Sequence, residues 1–342
     1  MTKLSLIRWS VLLALDAGDI ADLAVLDLSA AFDTVDYTIL LRCLQTSSGL
    51  SDAVLSCFHS YLDQRQQNVC HRGQLSAPSA VQFGVPRGSV LGPILFMLYT
   101  TDVVTVIDRC GLSVHQYADD TQVYGPNDAT SLCLELGGCI EQVACWMSAN
   151  CLQPNAAKME FLWLVPPRRR HQLPPDHLVV GPVRVAPVAS ARDLGVYLDS
   201  DMTMKTHVTR LVSSCFGILR QIRSIRRSLP RSTLTMLVSS FIMSKLDYCN
   251  AALVGLTRCD LDRLQSVINA AASLTVGAQH CDHISPLLVD LHWAADGRMY
   301  TVQALCTCIP LPIRISTMLP STDGGEHGIT ASSSCGQLHH PT

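Results

Sequence analysis

Residues 22–28, Asp22-Leu23-Ala24-Val25-Leu26-Asp27-Leu28, alternate polar and apolar side chains as a half-buried strand does. The period then lengthens, and residues 34–44 and 51–62 predict two helices. Residues 69–83 predict a hairpin that turns at His71-Arg72-Gly73-Gln74. A glycine-rich turn ends at Gly88, Ser89 has the side chain of a helix cap, and the apolar run from Val90 to Ile107 predicts one long buried helix. Two short strands follow at 112–116 and 121–124, joined through Asp119 and Asp120, which puts an acidic pair on a hairpin tip. Residues 130–147 read as helix, and the proline-rich stretch 166–187, with Arg168-Arg169-Arg170 inside it, reads as an exposed loop around a strand. From Lys205 to Leu274 the pattern is helical, with Val208, Leu211, Val212, Cys215, Leu219 and Ile222 at helix spacing in its first element. Beyond about Cys306 periodicity is lost and the chain reads as disordered.

Composition refines this picture. A length of 342 residues with 48% hydrophobic content suffices for two structural units and a sizeable core. The net charge of −3 hides an asymmetry: residues 1–160 hold 8 Lys/Arg against 16 Asp/Glu, whereas residues 161–342 hold 17 against 12. The basic half is where phosphate backbones are expected to run. Fifteen cysteines, an odd total without a Cys-x-x-Cys pair or a secretory signal, predict reduced thiols in an intracellular protein. Cys133, Cys139, Cys145 and Cys151 recur every six residues, a step that rotates each by about 240° on a helix, so they do not converge on one metal. Pro93 and Asp102 within the apolar run, and Arg8 within the short N-terminal one, argue against a membrane span and a signal peptide. The expectation is a chain that is neither secreted nor in a membrane, with nuclear location left open.

The chemistry centres on Tyr117-Ala118-Asp119-Asp120. Adjacent carboxylates repel one another, so exposing two on a tight turn calls for a counter-charge, most economically a divalent cation. Asp27, at the end of the first strand, supplies a third carboxylate that could complete the cage. Two Mg²⁺ ions about 3.5–4 Å apart clamp the attacking and leaving oxygens of an in-line displacement, the chemistry of polymerases and some nucleases. The bland reading is that all three aspartates cap turns.

Three blocks carry a resemblance: residues 27–36 (Asp-Leu-Ser-Ala-Ala-Phe-Asp-Thr-Val-Asp), residues 84–93 (Gly-Val-Pro-Arg-Gly-Ser-Val-Leu-Gly-Pro) and residues 117–120. In order and spacing they resemble the palm of reverse transcriptases from non-LTR, LINE-type retrotransposons. Residues 152–160 and 193–199 are similar to the two blocks that follow in that family, and a weaker likeness continues to about Leu305. The implied fold is a mixed α/β (α+β) one. It comprises a palm of antiparallel sheet and flanking helices over 1–204, a mostly helical thumb over 205–305 and a disordered tail over 306–342.

The resemblance also implies roles. Asp27 and Asp119 bridge two Mg²⁺ ions, for which Mn²⁺ can substitute, with Asp120 in support, and Lys158 acts as general acid toward the leaving pyrophosphate. Phe32 lies beneath the sugar of the incoming nucleotide and excludes a 2′-hydroxyl, while small Ala31 lets substrate approach. Gly84, Pro86, Arg87 and Gly88 form a turn that meets nucleotide or template, although Arg87 stands where the family usually has Gln. Leu194-Gly195 corresponds to the hairpin that holds the primer end. Arg220, Arg223 and Arg227, at i, i+3 and i+7, suggest a basic stripe that tracks nucleic-acid phosphates. Asp33 and Asp36 read as structural, near a helix start. The implied partners are an RNA template, a DNA primer and deoxynucleoside triphosphates.

Only 26 residues precede Asp27, with Lys3 and Arg8 their basic members, too few for the family's fingers. The expectation is therefore a truncated copy with fingers largely absent. Two readings compete, an RNA-directed DNA polymerase and a catalytically silent remnant that binds nucleic acid at most. A two-metal nuclease is more distant, because it needs neither Phe32 nor the Gly-Val-Pro turn.

Overall fold

The structure, a computed structural model, describes residues 3–86, 88–127, 129–173, 177–180, 183–278 and 282–293. Arg87, the end of the expected thumb (294–305) and the expected tail (306–342) lie outside the described residues. In chain order come α1 (Lys3–Ala17), β1 (Ile20–Leu26), β2 (Leu28–Ser29), α2 (Tyr37–Thr46) and α3 (Asp52–Leu62). A small hairpin region follows, with β3 (Gln66–Gln67), β4 (Cys70–His71), β5 (Gln74–Leu75) and β6 (Ser79–Ala80). Then come α4 (Leu91–Tyr99), α5 (Thr101–Arg109), β7 (Ser113–Tyr117), β8 (Asp120–Asn127), α6 (Ala129–Ala149), β9 (Gln153–Pro154) and β10 (Glu160–Leu164). Two further hairpins, β11 (Leu178–Val180) with β12 (Val183–Val185) and β13 (Ser190–Asp193) with β14 (Val196–Asp199), precede α7 (Lys205–Ile225), α8 (Arg231–Val238), α9 (Ser244–Asp247), α10 (Arg258–Val276) and α11 (Ile284–Asp290).

The central sheet is antiparallel, in the order β10-β1-β8-β7. Its alternation predicts a half-buried β1, yet every residue of that strand is buried. Both faces are covered. Ile20, Ala24 and Leu26 point into a core built from α2, α4, α5 and α6, with Leu40, Phe96, Ile107 and Val143. Ala21, Leu23 and Val25 point the other way, into a core shared with α1, β13, β14 and the C-terminal helices, with Leu198, Val208, Leu264 and Ala271. The second core runs without interruption from the sheet into the helical half. Asp199, at the end of β14, joins the two by accepting a hydrogen bond from Thr206 N in the first turn of α7 at 3.0 Å.

Three expected elements are redrawn. The single helix over 90–107 is two helices that part at Thr100, where the Thr100 and Thr101 hydroxyls donate to Phe96 O (3.0 Å) and Met97 O (2.9 Å), back-bonds that bend a helix. The segment Leu91–Arg109 is long and apolar enough to cross a membrane by length and composition. Its inner residues Leu95, Phe96, Tyr99, Val103 and Ile107 are buried in the protein core. The helix expected from 34 begins at Tyr37, because Asp36 caps it by accepting from Ile39 N at 2.9 Å, an interaction of about 1 kcal/mol. The helical pattern of 205–274 is interrupted by a 3₁₀ turn at Arg226–Ser228, a π-helical turn at Ser239–Met243 and a 3₁₀ turn at Asn250–Leu253.

Candidate active site

Asp27 follows the last residue of β1, so the strand that spans both cores ends in a carboxylate. The tip carrying the acidic pair is a two-residue hairpin loop: Tyr117 pairs with Asp120 across Ala118 and Asp119, and Ala118 takes a positive φ of 54°. Because β8 pairs with β1, with Thr121 opposite Leu26, the tip is carried to the end of the Asp27 strand.

Lys158 reaches the same place through a turn tied to Asp27 itself. The two residues of β2 pair with β9, Asn155 N donates to the Asp27 carbonyl at 2.9 Å, and Lys158 N donates to Asn155 O at 3.0 Å. The ammonium then lies 2.8 Å from Asp27 Oδ2, with the Lys158 side chain largely exposed and that of Asp27 mostly covered. Asp27 in turn raises the lysine pKa, which keeps Lys158 protonated.

A cavity of about 480 Å³ opens between these groups and the second sequence block. Asp27, Asp119 and Lys158 line it together with Ala31, Phe32, Pro86 and Gly88. Phe32 is half-buried and rests on Phe96, their ring centroids 4.9 Å apart. Gly84 lies behind the cavity, with Gly84 N donating to Val35 O and Val85 N to Phe32 O, each at 2.8 Å. At φ 87° it packs so closely that a Cβ would stand 2.9 Å from both Asp33 Cα and Phe32 O. Two residues that sequence reasoning missed brace this turn: Tyr37 Oη donates to Gly84 O at 3.0 Å, and Arg65 donates to both Gly84 O (2.8 Å) and Tyr37 Oη (2.9 Å). A lone tyrosine and a lone arginine carry no local pattern that would have singled them out.

Asp120 begins β8 half-buried. Burial first, and then the charges of Asp119 and Asp27, raise its pKa, with Lys158 opposing. That mutual repulsion is what a bound cation relieves, and the all-oxygen donor set suits Mg²⁺. Among the described residues, however, no three His, Cys, Asp or Glu side chains are grouped closely enough to hold an ion. Lys158 is the ion-pair partner of Asp27.

A second cavity, of about 780 Å³, has the opposite character. Arg192 from β13, Arg210 from α7 and Lys245 from α9 line it, with Tyr197, Tyr248 and several hydroxyls. The Arg210 guanidinium stacks 4.5 Å from the Tyr197 ring centroid, and Lys245 Nζ donates to Ser214 Oγ at 3.1 Å. Gly195 lies at its edge, while Leu194 O accepts from Tyr248 Oη at 2.7 Å. The expected stripe of Arg220, Arg223 and Arg227 is exposed but lines neither cavity. The α-helix ends at Ile225, so Arg227 falls in the 3₁₀ turn that follows.

A family model described as reverse transcriptase (RNA-dependent DNA polymerase) matches residues 17–197. The probable RNA-directed DNA polymerase from transposon BS of Drosophila melanogaster is 26% identical over 237 residues, covering 66% of this chain and 25% of that protein. That from transposon X-element of the same fly is 27% identical over 284 residues, covering 79% and 30%. The RNA-directed DNA polymerase from mobile element jockey of Drosophila funebris is 27% identical over 210 residues, covering 59% and 22%. The chain thus spans at most 30% of the length of these relatives. Among solved structures, apo telomerase from Candida tropicalis aligns over 90% of this chain and 55% of its own, at 11% identity and a TM-score of 0.43.

Proposed function

The chain belongs to the reverse transcriptase (RNA-dependent DNA polymerase) family, and from that premise we propose that it carries the palm and thumb of a retrotransposon RNA-directed DNA polymerase, with its reaction centre in the acidic cavity. The observation that carries this reading is the meeting of Asp27, Asp119 and Lys158 with Phe32, Pro86 and Gly88 around one space. A nuclease needs the carboxylates but has no use for an aromatic shelf opposite them.

On this reading Asp27 and Asp119, assisted by Asp120, would hold two Mg²⁺ ions, whose charge would activate the primer 3′-hydroxyl and offset that of the departing pyrophosphate. Phe32, fixed from below by Phe96, forms a floor under the sugar, where a 2′-hydroxyl would collide with the ring. Gly84, braced by Tyr37 and Arg65, holds the following turn close to Phe32. Lys158, kept protonated by Asp27, supplies positive charge and a proton to the pyrophosphate as the bond to the α-phosphorus breaks. Leu194 and Gly195 present the primer end, and the basic cavity beside them takes the phosphates of an RNA template and DNA primer. Deoxynucleoside triphosphates are the substrates.

One observation favours a second reading. The cavity lined by Arg192, Arg210 and Lys245 would bind nucleic acid without catalysis. Mg²⁺-dependent extension of a DNA primer on an RNA template separates the two. Extension that disappears in Asp119→Asn supports the polymerase, whereas a folded wild-type protein that binds the duplex and adds no nucleotide leaves the binding module.

A further inference from the structure

Between β8 and β13 lies a buried polar pair with no part in the chemistry above. Gln122 and Asp193 expose 0% and 1% of their surfaces, and Gln122 Nε2 donates to Asp193 Oδ1 at 2.7 Å. A buried amide and carboxyl are costly unless satisfied. Here Gln122 Oε1 and Asp193 Oδ2 have no hydrogen-bond partner. A proton on Asp193 would turn one of those two acceptors into a donor. Burial favours that state by raising the carboxyl to about 6; the Gln122 bond opposes the rise and the charge of Asp120 adds to it.

The location of the pair is what gives it meaning. Gln122 is two residues beyond Asp120 and pairs across the sheet with Val25, itself two residues before Asp27. Asp193 ends β13 and pairs with Val196 across the Leu194–Gly195 turn, where both turn residues take positive φ, 45° and 84°. The β13–β14 hairpin forms a two-stranded sheet of its own and shares no ladder with the catalytic sheet. This bond, together with Arg192 N donating to Glu160 Oε2 on β10 at 3.0 Å, ties the hairpin to the sheet that carries the carboxylates, while Tyr248 Oη donates to Leu194 O.

We propose that Asp193 and Gln122 are positioning residues that fix the distance between the Leu194–Gly195 turn and the Asp27/Asp119 carboxylates, and so the place of a primer 3′ end. The inference rests on the polymerase reading of the acidic cavity. Neither residue touches substrate; both act through the turn.

The test uses the full chain with Asp193→Leu, Gln122→Leu, Asp193→Asn and the exchange Gln122→Glu with Asp193→Asn. Amide hydrogen exchange over 190–199, affinity for a labelled DNA primer on an RNA template, and KM for that duplex and for deoxynucleotide are compared. Losing a charged, buried hydrogen bond should speed exchange in the hairpin and weaken duplex affinity and KM by about tenfold in both leucine variants, leaving the deoxynucleotide KM nearly unchanged. Asp193→Asn, whose amide oxygen accepts the same bond, and the exchanged pair should restore near wild-type values. Folded leucine variants with unchanged hairpin exchange and duplex affinity would overturn the proposal, as would an Asp193→Asn variant as impaired as Asp193→Leu. Should the wild-type chain extend no primer, the polymerase reading fails separately, and the exchange and affinity measurements still decide whether the pair positions the turn.

Discussion

The two cavities are built in opposite ways. The acidic one draws most of its chemistry from short runs of sequence, Asp27 with Ala31 and Phe32, and Pro86 with Gly88, joined by Asp119 and Lys158 from two further turns. The basic one takes Arg192, Arg210 and Lys245 singly from a hairpin, a long helix and a short one. A site made of local turns can be read from sequence, because neighbours in the chain are neighbours in space. A site made of single residues on distant elements becomes visible only when the packing does.

The contrast can be broken most forcefully at Asp27. Asp27→Asn should lower Mg²⁺-dependent primer extension by at least about a hundredfold, since metal ligands carry several kcal/mol of transition-state stabilisation. Duplex affinity, measured by fluorescence anisotropy, should stay near wild type if binding resides in the other cavity. Gly84→Ala tests whether the acidic site depends on its turn. The added Cβ meets backbone at 2.9 Å in a left-handed conformation, so urea unfolding should show a loss of about 1–3 kcal/mol, with extension reduced as Phe32 shifts.

Arg210→Ala with Lys245→Ala should weaken duplex binding and lower the slope of log affinity against log salt by about 1 for each phosphate contact removed. Arg220→Ala with Arg223→Ala should change neither by a comparable amount; equal losses in the two double variants would shift the phosphate track to the helix face. The smallest effect concerns pH. Asp22 is buried in β1 and its carboxyl is pushed by desolvation to about 8 from an ordinary 3.8, with Gly125 N donating to it at 3.1 Å. The folded state thus holds a proton that the unfolded chain releases. The resulting stability is present below the ordinary value and is lost as pH rises through the folded one. Asp22→Asn should flatten that decline, seen as a urea midpoint that changes less across the interval, without moving duplex affinity.

Particular residues show why part of the molecule was legible in advance. The alternation around Leu23 and Val25 announced a strand, and the adjacent carboxylates announced a hairpin tip, because both signals are local. Burial on both faces of β1 was hidden, since alternation around Asp22 imitates a strand with one wet face while Asp22 is in fact buried as a polar residue. The break at Thr100 was hidden by an apolar run whose periodicity continues through it. The pairing of Gln122 with Asp193 joins positions 71 residues apart, a distance that no local pattern spans.

One seven-residue strand, β1, serves as a wall common to both hydrophobic cores and delivers Asp27 at its end. Dividing the gene between residues 204 and 205 would remove the helical part of the second core, with Val208, Leu264 and Ala271, and leave the Leu23 and Val25 side of that wall covered only by α1 and the β13–β14 hairpin. A soluble fragment for crystallisation or screening therefore has to retain the C-terminal helices even when only the acidic site is wanted. Random damage to those helices would reach the Asp27 carboxylate through the strand's back, without touching a single residue that lines its cavity.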